Sequence, residues 1–343
     1  MKAAVIREHG EPDVIRVEDI PTPEPGDGEV LVDVKAAALN HLDIWVRQGG
    51  RQDLEWPHVL GSDAAGVISA VGPGVEGVSV GDEVIIDPGL ACGHCRFCRD
   101  GEHSLCENFG IVGMHRPGTF AEQLTVPARC VAPKPAHLDF QEASALCVAY
   151  LTAWRMLFTR ARVQPGETVL IHGIGGGVAL AALQFLQLTS ARAIVTSSSD
   201  EKLEQARALG ADETINYHTI GDLPARVLEL AGERGVDIAF DTVGAATWLV
   251  DLEVVRRGGR IVICGVTTGA EATTNLQALY WNQISALGST LGTDAELRDM
   301  LTAIETAGME PVVDTVFPLD EVRQATELME GGEQFGKIVL AVE

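Results

Sequence analysis

What the 343 residues lack narrows the reading first. No run of eighteen apolar residues occurs, so no membrane-spanning helix is expected. The opening stretch, MKAAVIREHGEPDVIRVED, is charged throughout and has no apolar core of the kind that export signals carry, so a cytoplasmic location is expected. Lysine is scarce: Lys2, Lys35, Lys134, Lys202 and Lys337 are all there are. With arginine they make 25 basic residues against 49 acidic ones, a formal net charge of -24. Nucleic acid and anionic membrane both need a basic face, so neither is an expected partner. Repeats, low-complexity tracts and long charge blocks are missing too. The acid excess suits either a salt-rich cytoplasm or an ordinary acidic enzyme that favours arginine.

What is there exceeds one ordinary core. The length and a hydrophobic content of 46% predict two domains. Up to about residue 130 the chain reads as short strands broken by turns: EVLVDVKAAAL (29–39), GVISAVGPGV (66–75) and GDEVIIDP (81–88). After Pro133 the grammar changes. Residues 141–163 have helical apolar spacing, and strands then alternate with helices. Strands are expected at 167–173, 191–197, 213–217, 236–242 and 259–265, with helices at 177–188, 199–210, 222–232 and 245–255. Such alternation predicts an α/β fold with a doubly wound parallel sheet, to which 285–291 could add a sixth strand. A helix at 295–308 and a strand at 336–343 break the alternation and are expected to return to the first domain.

The turn LIHGIGGGVALAALQ (170–184) joins the first strand and first helix of that alternation. Gly173, Gly175, Gly176 and Gly177, followed by Val178, permit positive φ and close approach of backbone to a pyrophosphate at a helix N-terminus. A glycine string alone is weak evidence; its place between strand and helix makes it a dinucleotide site. Ala179 stands where a third packing glycine often sits, a small cost. At the end of the second strand an NAD site wants a carboxylate for the ribose. Here the chain reads Thr196, Ser197, Ser198, Ser199 before Asp200 and Lys202, a tip that tolerates a 2′-phosphate. NADP(H) is therefore the expected cofactor, with NAD(H) the alternative. Tyr217, ending the third strand, is a further candidate contact, as are Thr242, Gly244, Gly265 and Val266 at the ends of the fourth and fifth. Each has a plain structural reading as well: Ser199 or Asp200 as a helix cap, Tyr217 as a surface tyrosine.

Cys92, Cys95, Cys98 and Cys106 follow C-x2-C-x2-C-x7-C. The spacing gathers four thiolates about a tetrahedral ion, and four thiolates fill the shell of Zn2+ without a vacant position. An iron–sulfur cluster is the runner-up, and disulfides come third. Cys130, Cys147 and Cys264 sit in apolar surroundings and read as small buried hydrophobes.

LNHLDIWVRQG (39–49), PHVLGSDAAGVI (57–68), VGDEV (80–84), the four cysteines, LTAW (151–154), the glycine turn, KLEQARALGAD (202–212), FDTVG (240–244), GGRIVICG (258–265) and GKIVL (336–340) occur in an order and spacing that resembles the medium-chain dehydrogenase/reductase superfamily. The resemblance covers essentially the whole chain. It implies a mainly β GroES-like catalytic domain from residues 1–130 and 292–343, carrying a structural-zinc lobe at about 88–110, and a Rossmann domain over 131–291. It also implies a small-molecule substrate and a homodimer or homotetramer.

Within the superfamily, zinc alcohol dehydrogenases hold a catalytic metal with a cysteine, a histidine and a second cysteine. Asn40, Ser62 and Val148 occupy those places here, and Cys147 is one position off, on another helix face. Leu42 replaces their proton-relaying hydroxyl. Without a Lewis acid to stabilise an alkoxide, a conjugated acceptor becomes the easier substrate. The stretch Asn40 to Asp43 is similar to that of zinc-independent quinone oxidoreductases and enoyl reductases. By that resemblance Asn40 and Thr152 orient the nicotinamide end and the substrate carbonyl, with Asp43 completing the constellation, and His41 lies near the pyrophosphate. Trp45 falls where many relatives have tyrosine, which leaves water as a proton source and makes Trp45 a candidate pocket wall. The expected activity is NADPH-dependent reduction of an activated C=C bond or quinone. Two rivals stay open: an alcohol dehydrogenase that recruits a second metal through Asp63, His41 or His58, and a dinucleotide-binding protein with little turnover.

Overall fold

The computed structural model describes residues 1–342. Its contacts divide the chain into two compact units, Met1–Ala149 with Gly292–Glu343, and Tyr150–Leu291.

The first unit is built on the strand Glu29–Ala38, the hub of a seven-stranded sheet. It pairs antiparallel with Asp63–Val71 along its length, with Gln123–Pro127 along its first half and with Lys337–Ala341 along its last residues. Its alternating pattern buries Val30, Val32 and Val34, and the run Ala36, Ala37 and Ala38 meets Ala65 and Ala64 across the pair. Gly66 has no alternative there, since a Cβ would lie 2.2 Å from the Asp33 carbonyl. A smaller sheet of Arg16–Asp19, Lys2–Ile6 and His58–Val59 accompanies it. The helix expected near 295–308 is Asp294–Ala307, opened by a capping box from Thr293 and Glu296, and it belongs to this unit together with the closing strand. A second returning helix, Val322–Gly331, had no counterpart in the sequence reading.

This first segment runs to Ala149, whereas the sequence reading set the change of domain at 131. The reason is local. The helix Phe140–Ser144 packs on the strands Glu29–Ala38 and Asp63–Val71, so helical periodicity begins before the chain leaves the β unit.

The second unit holds six parallel strands in the order 3-2-1-4-5-6: Thr168–Ile171, Arg192–Ser197, Glu213–Asn216, Val236–Asp241, Val255–Ile263 and Ser285–Gly288. All five expected strands and the optional sixth are present, with the expected helices Gly177–Leu186, Asp200–Ala208, Leu223–Ala231 and Trp248–Val254 between them. Leu170, Ile194, Ile215, Val227, Ala239 and Ile261 share one buried cluster, each side chain larger than alanine contributing about 1.5–3 kcal/mol of transfer free energy. The order reverses at Thr168–Ile171, which makes the carboxyl ends of that strand and Val236–Asp241 the switch point at which ligands bind in such sheets. No helix among the described residues is long and apolar enough to cross a membrane.

Candidate functional site

Antiparallel pairing decides what meets in the first unit. Ala38 pairs with both Asp63 and Val339, so the end of one strand lies beside the starts of two others. Asn40, Asp63 and Lys337 therefore converge. The Lys337 ammonium donates to the Leu39 carbonyl (2.7 Å), Asn40 Oδ1 (2.6 Å) and Asp63 Oδ2 (3.1 Å). Asn40 Nδ2 donates to the same Asp63 oxygen at 2.9 Å, and the Val148 amide donates to Asp63 Oδ1 at 2.7 Å. Asp63 is fully buried and Lys337 is only 4% exposed. Sequence reasoning missed Lys337. The signal was a lysine opening the apolar strand KIVLA in a chain with so few lysines.

Asn40 also opens the short helix His41–Arg47 through a capping box with Asp43, whose carboxylate accepts the Asn40 amide at 2.8 Å. Burial pushes the Asp43 pKa up to about 7 against the opposing pull of the Asn40 amide, Lys337 and the Gly61 amide. Gly61 must be glycine, with φ 98° and Phe120 and Thr119 where a Cβ would go. His41 and Trp45 lie on the exposed side of this helix.

Asn40, Ser62 and Val148, the positions that the resemblance sets where zinc alcohol dehydrogenases hold a catalytic metal, are each committed otherwise. The Asn40 amide is bonded to Asp63 and Lys337. Ser62 Oγ donates to the Val112 carbonyl (2.7 Å). Val148 offers only its backbone N–H. His58 is buried and held on the Gly113 carbonyl through Nε2 at 2.8 Å. Cys147 is buried, and desolvation with the charges of Asp63 and Asp87 raises its thiol well above the usual range. Thr152 is buried on the helix Cys147–Trp154, which begins in the first unit and continues into the second.

The cysteine lobe springs from a two-stranded ribbon, Gly89–Leu90 with Gly110–Ile111. The sulfurs of Cys92, Cys95, Cys98 and Cys106 all lie within 4.8 Å of one another, with Cys92–Cys98 at 3.9 Å and Cys95–Cys98 at 3.5 Å. Four sulfurs at the usual zinc distance would be about 3.8 Å apart. Backbone N–H groups of Cys95, Cys92 and Asn108 donate to the sulfurs of Cys92, Cys106 and Cys106, as thiolates require. Amides of Cys98 and Glu107 pull the Cys95 thiol down to about 6, while burial and its neighbours push Cys98 up to about 12. Four thiolates this close need a divalent cation, and the donor set fits zinc with no vacant position. It is also the one cluster of three or more His, Cys, Asp or Glu donors among the described residues. Of the other cysteines, Cys130 and Cys147 are buried as expected and Cys264, at the end of its strand, is largely buried; burial, then Asp241, raises its thiol to about 12.

In the second unit Gly173 and Gly175 have φ of 66° and 119°, and Gly176 caps the helix Gly177–Leu186, whose first turn carries no acidic residue. Val178 follows in that turn, and Ala179 is buried without distorting the helix. This is a cradle for a pyrophosphate. At the tip of Arg192–Ser197, Ser197 is buried and accepts from the Ser199 amide, and Ser198 is exposed. Ser199 caps the next helix by accepting the Lys202 amide (3.3 Å), so its structural reading holds. Asp200, the nearest acid, is taken by Asn216 Nδ2 at 2.7 Å. The Tyr217 ring is exposed and stands edge-on to His218.

Gly244 and Gly265 have a steric reason of their own. A Cβ on Gly244 would meet the Gly269 carbonyl at 2.9 Å, and one on Gly265 the Thr242 carbonyl at 2.6 Å. The two strand-end loops cross at van der Waals distance, leaving Val266 exposed. Two further residues missed by sequence reasoning lie beneath the glycine turn: His172, bonded through Nε2 to Asp251 Oδ1 at 2.8 Å.

A 3-2-1-4-5-6 parallel sheet with this glycine turn, in one chain with a β unit that carries a four-thiol lobe, defines a two-domain dinucleotide-dependent oxidoreductase. Comparison with known proteins gives the family. Residues 26–136 match the alcohol dehydrogenase GroES-like domain, and residues 177–306 match the zinc-binding dehydrogenase family. A zinc-type alcohol dehydrogenase-like protein of Schizosaccharomyces pombe is 34% identical over 339 residues, covering 96% of each chain. The human quinone oxidoreductase is 29% identical over 351 residues, covering 99% of this chain and 97% of that protein. A crystal structure described as an NAD-dependent alcohol dehydrogenase superposes with a TM-score of 0.96 at 46% identity, over 100% of both chains. The chain belongs to the medium-chain dehydrogenase/reductase superfamily, as its motifs predicted, and is an NAD(P)H-dependent oxidoreductase.

Proposed function

We propose that the protein is an NADPH-dependent reductase that transfers hydride to an activated C=C bond or a quinone, with one structural zinc in the lobe of Cys92, Cys95, Cys98 and Cys106. One observation carries the reading. The donors at the place of a catalytic metal are an amide, a hydroxyl and a backbone N–H, and Asn40, Asp63, Lys337 and the Val148 amide are bonded to one another there. Reduction of a plain carbonyl builds alkoxide charge, which a Lewis acid stabilises by several kcal/mol. A conjugated acceptor instead spreads the charge to a distant oxygen, for which hydrogen-bond donors and water suffice.

The nicotinamide, when bound, supplies the hydride. The chain's own residues bind and orient. The glycine turn from Gly173 to Val178 holds the phosphates, and Ser197, Ser198, Lys202 and Tyr217 line the adenosine end, with no carboxylate to repel a 2′-phosphate. Thr242, Gly244, Gly265 and Val266 form the crossing loops under the dinucleotide. The family resemblance assigns Thr152 to the nicotinamide end and His41 to the pyrophosphate end. Asn40 and Asp43 act by holding the backbone from residue 39 to residue 47 in place, since their polar atoms are engaged within the unit. The active form is a homodimer or homotetramer.

A second reading, an NAD-dependent alcohol dehydrogenase, is favoured by the 46% identity to a structure so described. It needs a second metal on Asp63, His41 or His58, and Asp63 and His58 would first have to give up the bonds described above. The test pairs metal analysis with turnover. Purified protein is assayed for NADPH and NADH oxidation against quinones, enones and enoyl-CoA thioesters, and for alcohol oxidation with both oxidised cofactors. One zinc per chain with reduction of conjugated acceptors is the expected result. Alcohol oxidation that depends on a second zinc per chain would overturn it, and a lack of turnover with every substrate would favour a dinucleotide-binding protein.

A further inference from the structure

Beneath the glycine turn lies a charged cluster that neither hydride transfer nor zinc binding uses. His172, the residue before Gly173, is 1% exposed, and Asp251 and Asp241 are fully buried. Imidazole Nε2 donates to Asp251 Oδ1 at 2.8 Å, and Nδ1 stands 3.3 Å from Thr196 Oγ1. Asp251 Oδ2 accepts from no N–H or O–H donor, and the Asp241 side chain, through its charge and its contact with Asp251, disfavours ionisation there. Asp241 Oδ1 accepts from the amides of Val243 (2.6 Å) and Gly244 (3.1 Å), and Oδ2 accepts from Thr247. The cluster thus joins the glycine turn to the loop that follows Val236–Asp241. The amide of Ile174, inside the turn, is fixed on the Thr196 carbonyl at 2.9 Å.

We infer that His172, Asp251 and Asp241 are positioning residues of the dinucleotide site, and that the proton on His172 tunes cofactor affinity by offsetting two buried carboxylates under the phosphate turn. The inference rests on the reading of that turn as the dinucleotide site. Burial opposes the imidazolium, but the charge and hydrogen bond of Asp251, then the charge of Asp241, raise its pKa above the ordinary value. Asp251 itself is raised to about 6, by burial first and against the pull of His172. The groups facing the cluster are few. Thr196 contributes a hydroxyl from its strand, Cys264 a thiol held neutral near Asp241, and Gly177–Leu186 nothing that titrates. At neutral pH and above, then, Asp251 is ionised and the imidazolium faces the two buried aspartates. When pH rises through the raised pKa of His172 the imidazolium charge is lost, two carboxylates stand uncompensated below a bound pyrophosphate, and affinity falls. By linkage, a bound dinucleotide raises the His172 pKa in turn.

The test is the dissociation constant of NADH and of NADPH, from nicotinamide fluorescence, between about pH 7 and pH 9.5, where the 2′-phosphate, with a pKa of about 6, has already ionised. The wild type is expected to bind about fivefold or more weakly at the alkaline end, with a one-proton slope. His172→Gln is expected to bind weakly at neutral pH and to lose the slope. Asp251→Asn, which keeps the imidazole, is expected to move the transition to lower pH, and it decides the matter should the first variant not fold. A merely structural role would weaken binding equally at all pH and leave the slope. A flat wild-type profile, or a slope retained in His172→Gln, overturns the inference while leaving the dinucleotide site standing. Failure of either cofactor to bind at any pH removes both.

Discussion

The strand-end network of the first unit makes Lys337→Met the most informative single change. The substitution keeps the length and apolar stem of the side chain and deletes one charge with three hydrogen bonds, to Leu39, Asn40 and Asp63. Asp63 is left fully buried with only the Asn40 side chain and the Val148 amide for support. Breaking a buried ion pair by removing one partner costs about 3–5 kcal/mol, because the other charge stays behind without compensation. That is a large share of a stability of about 5–15 kcal/mol, yet the chain should still fold. Adding Asp63→Asn removes the stranded charge. The double variant should recover about 2 kcal/mol relative to the sum of the two single losses. Urea unfolding of the four proteins, followed by far-UV circular dichroism, measures this directly. A Lys337→Met protein within about 0.5 kcal/mol of wild type, or a double variant as unstable as the simple sum, would refute the claim that this pair anchors the site.

Three further outcomes are expected. Cys95→Ser should take bound zinc from one per chain to none and open the loop 88–110 to proteolysis, while NADPH still binds the second unit; retention of zinc would contradict the four-thiolate site. Asp43 keeps its proton in the fold to about pH 7, whereas an unfolded aspartate loses it near 4, so native protein binds the extra proton between those values and its stability falls as pH rises across them. The effect is on the order of 4 kcal/mol at most, is flat above pH 7, and should vanish in Asp43→Asn when the two proteins are unfolded in parallel from pH 4 to 8. Ser198→Asp places a carboxylate on the exposed tip of the second strand and should shift the NADPH-to-NADH preference by about tenfold toward NADH, read from the two dissociation constants; an unchanged ratio would place the 2′-phosphate elsewhere.

Local signals carried most of the second unit. Thr168–Ile171, Arg192–Ser197 and Val236–Asp241 are short and largely apolar, Ser199 and Asp222 cap the helices that follow them, and the glycines at 173 and 175 have the positive φ that their position implied. The cysteine lobe was legible for the same reason, because all its ligands lie within fifteen residues. What escaped was long-range. Lys337 and Asp63 are 274 positions apart, and only the antiparallel register brings them together. His172 and Asp251 are 79 apart and meet because the helix Trp248–Val254 packs on Val236–Asp241, the parallel neighbour of the strand that His172 follows. The glycines at 244 and 265 were readable as special, but not the cause, which is the close crossing of two loops. Helical spacing from 141 onward announced a helix and could not say which core the helix would cover.

Both buried networks follow one plan. In each, carboxylates outnumber the single cation that faces them: Asp63 and Asp43 against Lys337, Asp251 and Asp241 against His172. In each, carboxylate oxygens also accept backbone amides, those of Asn40, Gly61 and Val148 in the first and of Val243 and Gly244 in the second, where Asp251 Oδ2 alone is left over. Groups so fully engaged are poor acids, bases or metal ligands, and good at fixing a main chain. A fold that invests its buried charge in this way leaves the bond-making to what it binds, which is the division of labour expected when a nicotinamide brings the hydride and the protein supplies orientation and field. The four-thiolate lobe is consistent with that division, since a zinc with a filled shell holds a loop and offers nothing to a substrate.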